Sequence, residues 1–145
     1  MDTIQLVYHS RMVIARSGLS RLAEFSQIHK TAVKNNRFNG ISGFLVFSKD
    51  KFIQVLEGER QLVFETLERI KRDDRHTDVT VVGVSPCQSR AFPDWLMGAM
   101  SDDLHIQEAM LEAGISGSAD LTRLTAKQII AVFSALSERP KTAAR

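Results

Sequence analysis

Two side chains in this sequence combine an oxidisable group with a reversible hydrogen-bonding group: the phenol of Tyr8 and the amide of Gln54. A phenol carries a transferable proton, and an amide can exchange its donor and acceptor ends. Tyr8 shares an apolar face with Ile4 and Leu6, whereas Gln54 lies in Phe52-Ile53-Gln54-Val55-Leu56, apolar on both sides. The amide is therefore expected to be at least partly buried, and leaving it unpaired would cost about 1–3 kcal/mol. Periodicity alone ranks a Gln54 bonded to neighbouring backbone or to Tyr8 somewhat ahead of a ligand contact. The matching plain reading of Tyr8 is a core tyrosine whose hydroxyl reaches a partner at the edge.

A second group of polar residues follows the same logic. Asn35 and Asn36 stand where the first expected helix ends, and one of them is by default a C-cap. Two adjacent amides exceed what a cap needs, and their donors and acceptors suit the alternating carbonyl and N–H edge of an isoalloxazine or pyrimidine-like ring. Arg69, Arg72, Arg75 and His76 lie on or just after a second helix, where solvated surface charge is the plainer explanation and a phosphate contact is open to one or two of them. Trp95 and Met97, two apart on a candidate strand, read most simply as core or interface residues. His9, His29 and His105 have no ligand spacing with one another or with the lone Cys87, so no metal site is expected. Gly-rich phosphate loops and Ser–His–Asp or Cys–His arrangements are absent from the pattern.

Composition narrows the setting. The chain has 145 residues, 43% hydrophobic and 25% charged, with a net charge of +2, which fits one globular domain with a real core. Basic residues are interspersed with acidic ones, so nucleic acid is not an expected partner. Apolar runs such as Ile41 to Phe47 stop well short of a membrane span, and Met1 to Ser10 lacks a signal pattern; a soluble, cytoplasmic protein is expected.

The elements that must position these groups follow from periodicity. Ile4 to Tyr8 alternates as a strand. Ser20 can cap a helix with Leu22, Phe25, Ile28, Ala32 and Val33 on one side, ending near Asn35-Asn36 and covering the first strand. Ile41 to Phe47 and Phe52 to Glu57, separated by Ser48 to Lys51, read as a hairpin. Val63, Leu67 and Ile70 mark a second helix, with exposed pairs Glu65–Arg69 and Glu68–Arg72, fraying around Asp73 to His76. Val79 to Ser85 is a further strand, and Phe92 to Met100 a weaker one. Helices over Asp103 to Glu112 and Thr125 to Leu136, joined by a Gly/Ser linker at Gly114 to Ser118, need either the open sheet face or another chain to cover their apolar stripes. The tail Pro140 to Arg145 is expected to fray. The fold class is thus α+β: a ferredoxin-like sheet in the order strand-helix-strand-strand-helix-strand plus a fifth strand, with two C-terminal helices. In it the first and third strands lie side by side, which makes Tyr8 and Gln54 neighbours.

Taken in order, Leu6-Val7-Tyr8-His9-Ser10, Asn35-Asn36 with Gly40-Ile41-Ser42-Gly43-Phe44-Leu45, Phe52-Ile53-Gln54-Val55-Leu56-Glu57-Gly58, Ile70 with Asp73-Asp74-Arg75-His76, and Arg90-Ala91-Phe92-Pro93-Asp94-Trp95-Leu96-Met97 resemble the BLUF photoreceptors over about residues 3 to 100. The resemblance implies a flavin-binding domain over 1–100, holding FAD noncovalently, and a helical extension over 101–145 that is not an independent domain. It implies that Asn36, and more weakly Asn35, bond the ring's polar edge, that Ile28 and Ile70 pack on its faces, and that Gln54 bridges Tyr8 to the flavin. Arg69 and His76 would help hold the ribityl or phosphate end. Photochemistry would run through Tyr8 and Gln54, and the signal would pass by Trp95 and Met97 to the last helices. A sensor without an output enzyme, working through a homo-oligomer or a downstream protein partner, is what this resemblance implies. At Ala32 the chain departs from the serine common in the family. A flavin-free ferredoxin-like metabolite-binding module and a small enzyme, acylphosphatase-like or flavin-dependent, are the readings from other classes.

Overall fold

The computed structural model of the protein describes residues 3–13, 21–93, 98–100, 103–116 and 120–138. Among the described residues five strands and four α-helices follow one another as β1 (Thr3–Met12), α1 (Arg21–Asn39), β2 (Ser42–Ser48), β3 (Lys51–Glu59), α2 (Arg60–Lys71), β4 (His76–Pro86), β5 (Gly98–Met100), α3 (Asp103–Glu112) and α4 (Ala126–Ser137). The sheet order is β4-β1-β3-β2-β5. All pairings are antiparallel except β2 with β5. This is the expected ferredoxin-like arrangement with one strand added at its edge, and β1 and β3 are neighbours as anticipated.

Both faces of the sheet are covered. Ile4, Leu6, Tyr8, Leu45, Phe52 and Leu56 point to one side and share a core with Ile28, Ala32 and Val33 of α1 and Val63 and Leu67 of α2. Val7, Phe44, Val46, Ile53 and Val55 point to the other and pack with Ile106 and Met110 of α3 and Ile129, Val132, Phe133 and Leu136 of α4. Of the two possible partners for the C-terminal stripes, the chain uses its own sheet. That choice follows from the sequence of β3, which is apolar at successive positions, as a strand buried on both sides must be. Among the described residues no helix is long and apolar enough to cross a membrane.

Local chemistry explains the boundaries. Lys49 and Asp50, with φ of 51° and 69°, form the two-residue turn of the β2–β3 hairpin, tighter than the four-residue connection expected, because two left-handed residues match the twist of the strands. The expected end of α1 at Asn35-Asn36 is corrected: the helix runs on to Asn39, and Gly40, at φ 63°, closes it. The Ile41 N–H reaches the Asn36 carbonyl at 3.2 Å, the 6→1 bond of a glycine-terminated helix. α3 ends identically at Gly114, with Ile115 N–H on the Met110 carbonyl at 2.9 Å. α4 starts with a capping box, Thr125 Oγ1 accepting from Gln128 N–H at 3.1 Å and Gln128 Oε1 from Thr125 N–H at 3.0 Å.

As anticipated, α1 packs over the apolar face of the first strand, sharing a core with Ile4, Leu6 and Tyr8, and α2 lies on the same face. Two further expectations change. Glu68 pairs with Lys71 at 3.6 Å, not with Arg72, and Arg69 and Arg72 line a cavity instead of forming exposed pairs with Glu65 and Glu68. β4 starts at His76, where fraying was expected, and the candidate strand from Phe92 is a strand only at Gly98–Met100, with Phe92 buried in a bend before it. Ser20, Trp95, Met97 and the tail Pro140 to Arg145 lie outside the described residues, as do the side chains of Leu22 and Phe25.

Phe133 of α4 is fully buried, its ring 5.7 Å from that of Phe44 on β2. Phe133→Ala should lower unfolding stability by about 3–5 kcal/mol, the cost of a large core cavity, read as an earlier urea midpoint with both helices lost in the same transition as the sheet.

Candidate functional site

The antiparallel register sets Tyr8 directly opposite Gln54, and Gln54 opposite Leu45 on its other side. Both polar residues are buried at 3% exposure. The Tyr8 hydroxyl donates to Gln54 Oε1 in a close contact, which satisfies the phenol without water. Two bulges in β4 flank this part of β1, one between Val7 and Tyr8 and one between His9 and Arg11. Such irregularities re-aim side chains beside sites, and here they fall on the outer partner while the β1–β3 register is unbroken. Burial, and secondarily the Asp73 charge, push the Tyr8 phenol far above its usual range.

Above this pair lies a cavity of about 310 Å³, within the range of small-molecule sites. Tyr8, Gln54, Leu45 and Phe52 form its floor; Ile28, Ala32, Asn35 and Asn36 of α1 form one wall, and Thr66, Arg69 and Ile70 of α2 another. Helical spacing puts Ile28, Ala32 and Asn35 or Asn36 on one face, and the extension of α1 past Asn36 keeps both residues within the helix. The connection from α2 to β4 adds Arg72, Asp73, Arg75 and His76. Every residue expected at a cofactor site therefore lines this one cavity. Trp95 and Met97 lie outside the described residues.

Charge at this end of the cavity is mostly positive. Asp73 is its carboxylate, held by Arg75: the guanidinium Nε lies 2.9 and 3.0 Å from its two oxygens, and the Arg75 backbone N–H donates to Oδ1 at 3.0 Å. Partial burial pushes the Asp73 carboxyl up, but the Arg75 hydrogen bonds and charge, with His76, outweigh it and hold the group below its ordinary range. His76 is fully engaged. Its Nε2 lies 2.6 Å from the Ile70 carbonyl, which can only accept, so Nε2 carries a proton; Nδ1 lies 2.7 Å from Ser10 Oγ. The ring therefore ties the end of α2 to β1 two residues from Tyr8, rather than offering a nitrogen to the cavity.

Periodicity had no role for Ser10, Thr66 or Asp73. The Asp73-x-Arg75 spacing is the signal that could have pointed to a folded turn, since Asp commonly bonds its own backbone two residues on. Among the described residues no group of His, Cys, Asp and Glu is arranged to hold a metal.

Comparison with known proteins places this geometry. The family model for sensors of blue-light using FAD, BLUF, matches residues 3–98. The photoactivated adenylate cyclase subunit beta of Euglena gracilis is 37% identical over 87 residues, covering 59% of this chain and 10% of that protein; the match spans about a tenth of the cyclase subunit's length. BlsA in its photo-activated state has the same fold, with a TM-score of 0.83 at 24% identity over 97% of this chain and 98% of that one. BlrB, a BLUF protein in its dark state, gives a TM-score of 0.75 at 25% identity over 94% and 95%.

Tyr8 is the chain's sole tyrosine, so its ionisation can be followed by phenolate absorbance without interference. No phenolate should form around pH 10, the ordinary value, until the chain unfolds. Because the folded state holds the proton more tightly than the unfolded one, stability is retained below about pH 10 and falls as pH rises above it. A reversible phenolate transition near 10 in the folded protein would contradict the buried geometry.

Proposed function

The chain belongs to the BLUF family, matched over residues 3–98, and on that premise we propose that it is a blue-light receptor in which FAD occupies the cavity over Tyr8 and Gln54. The observation that carries this reading is the buried hydrogen bond from the Tyr8 hydroxyl to Gln54 Oε1 at the floor of a cavity lined by amides and cations. Bound flavin supplies a light-excited electron acceptor.

The cavity's donor set fits such a molecule. With flavin bound, Asn36 and Asn35 would bond the polar edge of the ring, Ile28 and Ile70 would pack on its faces, and Arg69 would meet the phosphate end, where Arg72 would add a second cation; all six line the cavity. His76 supports the site from behind by joining Ser10 to the Ile70 carbonyl. Ala32 replaces a hydroxyl common at this position with a methyl group, leaving the wall one donor poorer.

Tyr8 is the electron donor. Once it loses an electron its proton becomes strongly acidic, and Gln54 Oε1 is the acceptor already in place. Electron and proton return to Tyr8 on recombination, so no covalent bond to the protein is made. What persists is a Gln54 amide with its donor and acceptor ends exchanged, which an amide can do and a carboxylate or ammonium cannot. α3 and α4 pack against the sheet, and the extension that contains them carries the signal, with Trp95 and Met97 on the way, to a second copy or to a downstream protein partner in the cytoplasm. The described chain senses and does not itself catalyse a reaction.

Purified protein loaded with FAD should show a flavin spectrum that shifts slightly to longer wavelength under blue light and recovers in the dark. Tyr8→Phe should keep the flavin and lose the shift entirely, and Gln54→Leu should lose it as well. A colourless protein that takes up no FAD would put the flavin-free binding module in front.

A further inference from the structure

Glu57 is a carboxylate with no exposed surface, and the photochemistry above gives it no task. It lies on β3, three residues beyond Gln54, and side-chain alternation turns it to the opposite face, toward α3 and α4. Its register partners are Gln5 on β1 and Ser42 on β2. Both donate to it, Gln5 Nε2 to Oε2 at 2.8 Å and Ser42 Oγ to Oε1 at 3.4 Å.

The other two donors come from outside the sheet. Ala91 N–H reaches Oε2 at 2.7 Å and Phe92 N–H reaches Oε1 at 2.8 Å, while Arg90 Nη1 donates to Ser42 Oγ at 3.1 Å. A buried carboxylate is tolerated where hydrogen bonds replace its water, and bonds to an ionised acceptor are the short, strong ones. The segment it grips ends in Phe92, whose fully buried ring lies 5.7 Å from Phe44, itself 5.7 Å from Phe133 of α4.

Two rungs of side chains thus cross the same three strands. Tyr8–Gln54–Leu45 opens on the cavity, and Gln5–Glu57–Ser42 holds the segment after β4. They are roughly 10 Å apart along β3, at the usual rise per residue. A shift of β3 that accommodates a reversed Gln54 amide changes the geometry of the Glu57 bonds, because the carboxylate is held on both sides and at both oxygens.

We propose that Glu57 is the positioning residue that couples the cavity to the C-terminal helices, by pinning residues 90–92 to β3 and passing displacement of that strand through Phe92 to α4. The inference rests on the photoreceptor reading.

The test is NMR-detected amide hydrogen exchange on the full chain loaded with FAD, in the dark and under continuous blue light, with the absorption shift recorded on the same sample. The Ala91 and Phe92 amides should change exchange rate by about threefold or more on illumination, as a local opening equilibrium is altered. In Glu57→Gln an NH2 replaces one acceptor oxygen. That variant should keep the absorption shift, exchange these two amides about tenfold faster in the dark, and lose the light-dependent change in α4. A normal shift with unchanged Ala91 and Phe92 amides in the natural chain overturns the role of Glu57 and leaves the photoreceptor standing; this comparison holds even if the variant fails to fold. A light response in α4 that survives Glu57→Gln also overturns it. Absence of the absorption shift in the natural chain removes both readings.

Discussion

The antiparallel register of β1 on β3 is the constraint on which the remaining structure depends. It sets Tyr8 opposite Gln54 on one face and Gln5 opposite Glu57 on the other. A slip of one residue would turn every side chain of the strand over, placing Ile53 at the cavity floor and Glu57 among α1 and α2. Both faces resist that slip, since Phe52 and Leu56 are buried on one side and Ile53 and Val55 on the other. The irregularity a functional site often needs is displaced outward to β4, whose bulges leave the central pair in register.

Within this apolar frame the buried polar groups around the two central rungs answer one another. Tyr8 donates to Gln54, Ser10 meets His76, His76 meets the Ile70 carbonyl, and Glu57 accepts from Gln5, Ser42, Ala91 and Phe92. An unanswered group of this kind costs about 1–3 kcal/mol, so these bonds select one arrangement of strands and connections over near alternatives of equal apolar burial. The same bonds place polar atoms where periodicity alone would allow only packing.

Local pattern reached most of the architecture. Alternation in Ile4 to Tyr8 and helical spacing in α2 and α4 depend on neighbours in sequence, and the residues around the cavity fall on the expected faces. What escaped depends on distant partners or on competition between signals. Asn35-Asn36 is a plausible helix end, but Gly40 enters the left-handed region at lower cost and wins, keeping both amides on the helix. Arg69 and Arg72 have acidic neighbours four residues back, yet both face the cavity. Glu57, just before Gly58, reads as a charge near a strand end; its partners are 15, 34, 35 and 52 residues away, and no local pattern connects them.

The sheet also separates the site from the helices that read it. Reversal of an amide leaves charge and covalent structure unchanged, so its effect elsewhere has to travel as small displacements of packed atoms. Close-packed interiors transmit such strain poorly by bending and well by switching between alternative packings. β3 contributes side chains to the cavity floor and to the core beneath α3 and α4, and it supplies the carboxylate that holds the segment after β4. A signal that leaves the cavity through β3 therefore meets aromatic packing at Phe92, Phe44 and Phe133 before it meets solvent, and that packing is where two arrangements of the C-terminal helices would differ.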